Sequence, residues 1–212
     1  MTGRLQHESA NGRRDTVQQS RAGVCILAGG EATRLPGKLA LDAGDAPMLV
    51  RVYRNVSPGR ETWLSTKGPL PDAIAALVDA PQVVDRWPLR GPLSGLLSTL
   101  SEMRTEWVFA VAGDAPFVDG SFIDGLETHA SPQYDAVVPM HGDDAKRIEP
   151  LAALYRRDAF LREGLPVLLG GEGKMRLVID RLRTRFVPVK DERAFANVNT
   201  PDDYAKLREV LS

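Results

Sequence analysis

Apolar and polar positions switch between two periods along this chain, and the switches mark out its elements. Residues 23–28 form a nearly continuous apolar run, the pattern of a strand buried on both faces. Pro47 opens a helix through Met48, Val52 and Val56. ETWLST (61–66) reads as a strand, LPDAIAALV (70–78) as a helix with Ile74, Leu77 and Val78 on one face, and QVVDRW as a short strand. Leu93, Leu96, Leu97 and Leu100 keep the i, i+3, i+4, i+7 spacing of a helix. WVFAVAGDAP (107–116) is the strongest strand, and it runs straight into an aspartate. Further helices are predicted over 120–129, near 157–163 and along the stripe of Met175, Val178, Ile179 and Leu182. Strands are predicted at 135–140, 149–155 and 185–190, and Thr200 caps a closing helix that Pro201 starts.

Alternating strands and helices predict an α/β fold: three layers around a mostly parallel central sheet with right-handed crossovers. Ligands of such sheets sit beyond the carboxyl ends of the strands. Polar clusters at 28–38, 113–116 and 197–199 all follow predicted strands, so one edge is expected to gather them. The chain of 212 residues fits one domain, 22–212, behind a polar tail, 1–21, that has little to bury and reads as disordered.

Charge and cysteine usage narrow the function. A net charge of -1 argues against a protein that coats nucleic acid. Cys25 is the only cysteine, which excludes an intramolecular disulfide and a cysteine-built zinc site, and its place in an apolar run predicts a buried, inert thiol. His7, His129 and His141 have no metal-binding spacing. No apolar run reaches the length of a membrane span, and the opening segment lacks the apolar centre of a signal peptide. The expectation is a cytoplasmic protein with no membrane contact.

The candidate chemistry starts at VCILAGGEATRLPGKLAL (24–41). It is no Walker A loop, because Gly37-Lys38 is followed by Leu39 and no glycine stands at 32, and G-x-G-x-x-G is also absent. What remains is a strand, then Ala28-Gly29-Gly30, with Arg34 and Lys38 close behind. Glycines let backbone N–H groups approach an anion. Arg34 adds a fork of donors and Lys38 a compact charge, as an extended polyphosphate requires. A glycine turn with two solvated cations is the other reading of the same residues. Asp114 ends the strongest strand; it either holds Mg²⁺ against phosphates or caps the turn into Pro116.

LAGGEATRLPGK resembles the N-terminal signature of the molybdenum cofactor guanylyltransferases, usually close to LAGGxSxRMGxDK. It has one residue fewer between Arg34 and Lys38, with Pro36-Gly37 in place of Gly-x-Asp. GPLSGLLS (91–98), AGDAPFV (112–118), EPLAALYRR (149–157) and FANVNTPDD (195–203) are similar, in order, to the family's GPLAG, CDxPF, PLxALY and FxNxNTPED segments. Gly113 stands where the family often has cysteine, and near Thr66 the chain lacks an asparagine that the family often has.

The resemblance implies a Rossmann-like nucleotidyltransferase fold and transfer of GMP from GTP to the terminal phosphate of molybdopterin, releasing pyrophosphate. It implies Mg²⁺ on Asp114, with Arg34, Lys38 and Asp114 carrying catalysis by positioning and charge neutralisation. Nucleotide binding falls to Leu27, Ala28, Gly29, Gly30, Arg34, Lys38, Asp85, Gly91 and Asp114. Asn197 and Asn199 would line the site near the metal or the pterin, although Asn199 as a cap of the last helix stays open. An acceptor carboxylate at Asp85 suits the two-donor edge of guanine; a solvated loop aspartate is its other reading. Beside this stand transfer from CTP to molybdopterin, transfer of another nucleotide to a sugar phosphate, and a non-catalytic nucleotide- or cofactor-binding relative. A molybdoenzyme or cofactor chaperone would be the protein partner.

Overall fold

The computed structural model describes residues 21–30, 34–87, 91–142 and 147–211. The expected tail up to residue 20, and residues 31–33 of the glycine-rich loop, lie outside the described residues. β1 (Gly23–Leu27) pairs in parallel with β2 (Thr62–Thr66) and with β4 (Trp107–Ala112), and β2 carries β3 (Gln82–Val84) on its outer edge. β7 (Ala152–Arg156) is antiparallel to β4 and to β5 (Ala136–His141). β8 (Thr184–Pro188) lies parallel along β5, and the short β6 (Arg147–Ile148) closes antiparallel on the end of β5. Among the described residues, the order β3-β2-β1-β4-β7-β5-β6, with β8 beside β5, thus has only β6 and β7 running against the rest, a mostly parallel sheet as expected.

The sheet is covered on both faces, which is why its central strands are continuous apolar runs. Val24, Ile26, Phe109 and Val111 pack towards α1 (Met48–Val56), α2 (Asp72–Ala75) and α4 (Gly120–Glu127). Cys25, Val108, Ala110 and Tyr155 pack towards α3 (Pro92–Leu100), α5 (Arg157–Leu169) and α6 (Met175–Ile179). Each such fully buried aliphatic side chain contributes about 1.5–3 kcal/mol. α7 (Pro201–Leu211) buries Leu207 in a smaller cluster with Ala43, Met48 and Val198. Burial pushes the Cys25 thiol up to about 12, with a hydrogen bond from Thr99 opposing weakly, so it is the inert core thiol expected. Among the described residues, no helix is long and apolar enough to cross a membrane.

Two elements differ from the sequence reading. The helix expected over 70–78 is only Asp72–Ala75, and Leu77 is exposed. Prolines at 69, 71 and 81 hem that segment in, so one turn forms and the apolar stripe has no second turn to continue on. The helix expected near 157–163 runs on to Leu169 through Pro166, because Val167 and Leu168 are buried against the sheet and repay the lost backbone bond.

The far end of the sheet is clamped by Arg60, whose side chain is 1% exposed. It donates to Glu127 at 2.8 Å, to the Ala22 carbonyl at 2.9 Å, and also to Asp124. Glu127 additionally accepts from the Ala22 N–H, and Arg21 bonds Asp124 at 3.4 Å, so we propose that the folded unit starts at Arg21. Burial would raise the Glu127 carboxyl, but Arg60 and the Ala22 N–H outweigh it and hold it below its ordinary value. A depressed carboxylate stabilises above its unfolded pKa, and that contribution is lost as pH falls through the folded one. Wild-type Tm is therefore expected to fall steeply below about pH 4.5, and Glu127→Gln to cost about 1–2 kcal/mol at pH 7 with a flatter acid limb. Thermal melts from pH 3 to 7 check this; parallel wild-type and Glu127→Gln curves would refute it.

Candidate nucleotide site

The carboxyl ends of β1, β2, β3 and β4 open onto one cavity of about 290 Å³. Leu27, Ala28, Gly29, Gly30, Lys38, Asp85, Gly91 and Asp114 all line it, eight of the nine residues expected to bind nucleotide. Arg34, the ninth, is exposed and lines none of the three principal cavities.

Local sequence explains how each group arrives. Lys38 N–H donates to the Leu35 carbonyl at 3.2 Å, and Gly37 has φ 71° and ψ 12°. Pro36 and Gly37 are the residues that a type II turn favours at its two central positions. This turn closes the shortened loop one residue early and still delivers Lys38 to the strand ends. The Lys38 ammonium bonds the Asp114 carboxylate and, at 2.9 Å, Asn199 Oδ1. Both side chains of the ion pair are nearly dehydrated, at 13% and 10% exposure, which strengthens the attraction.

The segment carrying Asn199 is held twice. The Val198 N–H donates to the Asp114 carbonyl at 3.0 Å, tying it to the end of β4. Thr200 and Asp203 then exchange a capping box, in which Asp203 accepts from the N–H groups of Asn199 and Thr200 and returns its own N–H to Thr200 Oγ1. The Thr200 hydroxyl, with those N–H groups, holds the Asp203 carboxyl below its ordinary value. Thr200 is thus the cap, and the Asn199 amide is left to meet Lys38. Asn197 is apart from it, in a third cavity of about 720 Å³ with Glu149, Lys174 and Arg176. That cavity shares Gly91, Pro92 and Leu151 with the first.

Asp85 is pinned on one oxygen. Its Oδ1 accepts from the Ser94 hydroxyl and from the Trp87 N–H at 3.1 Å, while its own N–H bonds the Thr66 carbonyl. A carboxylate fixed through Oδ1 can present Oδ2 to a ligand donor. Gly91 precedes α3 with φ 116°, and a Cβ there would stand 2.9 Å from the Gly173 carbonyl oxygen. Gly91 and Pro92 line the cavity, so the start of α3 borders it with no side chain at position 91. Gly95 lets α3 close on β2, since a Cβ there would meet Ser65 Oγ at 2.3 Å. A Cβ on Gly113 would press on Leu49 and Leu39 at 3.1 and 3.3 Å and on the Leu27 carbonyl oxygen at 3.3 Å, so a cysteine here would need both side chains and the end of β1 to yield slightly.

Sequence reasoning missed Ser65, Lys67, Pro92 and Leu151 in the cavity wall. Lys67 had a signal: it directly follows a strand whose carboxyl end faces the same edge as Gly29.

Comparison with known proteins places the fold and the family. The molybdenum cofactor guanylyltransferase of Vibrio cholerae is 28% identical over 196 residues, 91% of this chain and 94% of that one. Molybdopterin-guanine dinucleotide biosynthesis protein A from Archaeoglobus fulgidus shares the fold with a TM-score of 0.76 at 24% identity, covering 89% of this chain and 97% of the other. A CMP:2-keto-3-deoxy-manno-octonic acid synthetase solved with CTP also shares it, with a TM-score of 0.68 at 18% identity over 91% and 98% of the two chains. The fold by itself therefore does not choose the base. Residues 24–186, from β1 into β8, match the MobA-like NTP transferase domain, and the chain belongs to that family.

Proposed function

We propose that the protein transfers GMP from GTP to the terminal phosphate of molybdopterin, with or without molybdenum, and releases pyrophosphate. The observation that carries this reading is the convergence of a glycine-rich backbone loop, the Lys38–Asp114–Asn199 cluster and the pinned Asp85 carboxylate in one cavity. Guanine offers two adjacent donors to a carboxylate, which Asp85 Oδ2 suits. The N–H groups around Gly29 and Gly30, with Lys38, address the phosphates, and Arg34 joins them from the exposed side of the loop. Asn197, beside Lys174 and Arg176, faces the acceptor.

An oxygen of the acceptor phosphate attacks the α-phosphorus, and a new P–O bond forms. The bond from the α-phosphorus to the oxygen bridging to the β-phosphorus breaks, and its electron pair leaves with pyrophosphate. The attacking phosphate is already anionic, so no general base is required. What the protein supplies is alignment and cationic donors around a strongly anionic centre.

The donor set fits a hard cation. Asp114 and Asn199 already turn two oxygens onto one positive charge, the Lys38 ammonium. Among the described residues no cluster of three acidic, histidine or cysteine side chains exists, so an ion here would complete its shell with phosphate oxygens and water, as Mg²⁺ prefers. We infer that Asp114, aided by Asn199, holds Mg²⁺, which when bound neutralises phosphate charge. A cytoplasmic location suits the reduced, buried Cys25.

The test is incubation with each nucleoside triphosphate, Mg²⁺ and molybdopterin, following pyrophosphate. GTP is expected to be the preferred donor by at least about tenfold. Preference for CTP would move the assignment to cytidylyl transfer, and binding without pyrophosphate release from any donor would reduce the protein to a nucleotide-binding relative.

A further inference from the structure

A second cavity, of about 420 Å³, lies beyond Gly29 and Gly30 from the first, between the Gly37–Ala40 turn and the segment that follows β2. Both cavities are lined by Ala28, Gly29, Gly30, Lys38, Leu39 and Lys67, so the two spaces adjoin across the glycine pair. The first contains the carboxylates of Asp85 and Asp114, whereas among the described residues Lys38 and Lys67 are the only charged ones lining the second. It is thus an electropositive annex to a site whose carboxylates lie on the other side.

Its two cations differ in commitment. The Lys38 ammonium is held by Asp114 and Asn199. Lys67, by contrast, makes no hydrogen bond or ion pair with any described residue. Its stem lies against Gly29, where an added Cβ would come 3.1 Å from Lys67 Cγ and 3.3 Å from the Lys67 backbone N. Glycine at 29 is therefore what lets a lysine from β2 reach over the loop from β1. Beside Lys67, Thr66 also lines this wall; it is 2% exposed, and its Oγ1 lies buried behind the wall with no partner among the described residues. A buried hydroxyl without a partner is costly unless something bonds it. A lysine with no partner among the described residues, in a wall where no described residue is acidic, calls for an anion.

We propose that this second cavity receives the pyrophosphate released from the α-phosphorus, and that Lys67 is the side chain that binds it. The inference rests on the nucleotidyl-transfer reading above and adds to it the exit site of the leaving group. The electron pair of the broken P–O bond goes to the pyrophosphate oxygen, and a free ammonium beside the glycine pair is placed to take that growing charge.

The test is calorimetric titration of the full-length protein with inorganic pyrophosphate and with GMP, both with Mg²⁺, for wild type, Lys67→Gln and Lys67→Arg. Lys67→Gln is expected to weaken pyrophosphate about tenfold or more, to change GMP less than about twofold, and Lys67→Arg to keep most of the affinity. In turnover, inhibition by added pyrophosphate should weaken in parallel for Lys67→Gln. Lys67 is exposed, so unchanged melting is expected and excludes misfolding as the cause. Unchanged pyrophosphate affinity in Lys67→Gln, or equal losses for pyrophosphate and GMP, would overturn the assignment, as would a wild type that binds no pyrophosphate. A wild type that releases none from any donor, yet binds it through Lys67, would sink the transfer reading and leave the anion site standing.

Discussion

Asp114→Asn is expected to leave the fold intact and to slow pyrophosphate release by at least about 100-fold, the usual scale for losing one preorganised electrostatic group. The substitution keeps the shape of the side chain and an oxygen that accepts from Lys38. The Asp114 carbonyl still receives the Val198 N–H, so the tie between β4 and the 197–199 segment is untouched. Melting should therefore fall by only a few degrees, because Lys38 loses its counter-charge but keeps oxygen acceptors at 114 and on Asn199. What disappears is one negative charge at the end of the central strand, where a divalent cation would need it. Turnover is measured against Mg²⁺ concentration: a higher Mg²⁺ requirement together with a lower maximal rate is the expected signature. Near wild-type turnover at ordinary Mg²⁺ would remove Asp114 from the chemistry.

Asp114 was legible because it ends WVFAVA, an unbroken apolar run that could only be a central strand. The same logic located Gly29 and Gly30, and the repeated Asn-x-Asn spacing drew attention to Asn197 and Asn199. The spacing did not predict that these two amides would serve different cavities. That division comes from the capping box at Thr200 and the bond from Val198 to Asp114, neither of which periodicity encodes. The reversed direction of β7 was equally hidden, because burial on both faces gives the same apolar run whichever way a strand points. Lys67 was passed over for a related reason. A lysine after a strand looks solvated until β2 is paired beside β1, which brings it against Gly29. Arg34 shows the reverse case: its spacing from Lys38 suggested a joint role, but spacing did not reveal that Lys38 lines the cavity while Arg34 stands on the exposed side of the loop.

Lys38→Ala is expected to lower pyrophosphate release by more than about 100-fold and to weaken GTP far more than GMP. Two effects add. Losing a charge-assisted contact to the distal phosphates costs about 1.5–3 kcal/mol by itself. In addition, Asp114 is only 7% exposed and loses its only cationic partner among the described residues, leaving a nearly buried carboxylate against the incoming triphosphate. GMP carries no β- or γ-phosphate, so it escapes the first cost and most of the second. The second cost is a surplus negative charge, so raising Mg²⁺ should recover part of the GTP affinity in Lys38→Ala. Calorimetry with GTP and GMP at low and high Mg²⁺ separates the two. Equal losses for both nucleotides would place Lys38 away from the distal phosphates, and a deficit indifferent to Mg²⁺ would mean that the freed Asp114 charge is not what repels the triphosphate.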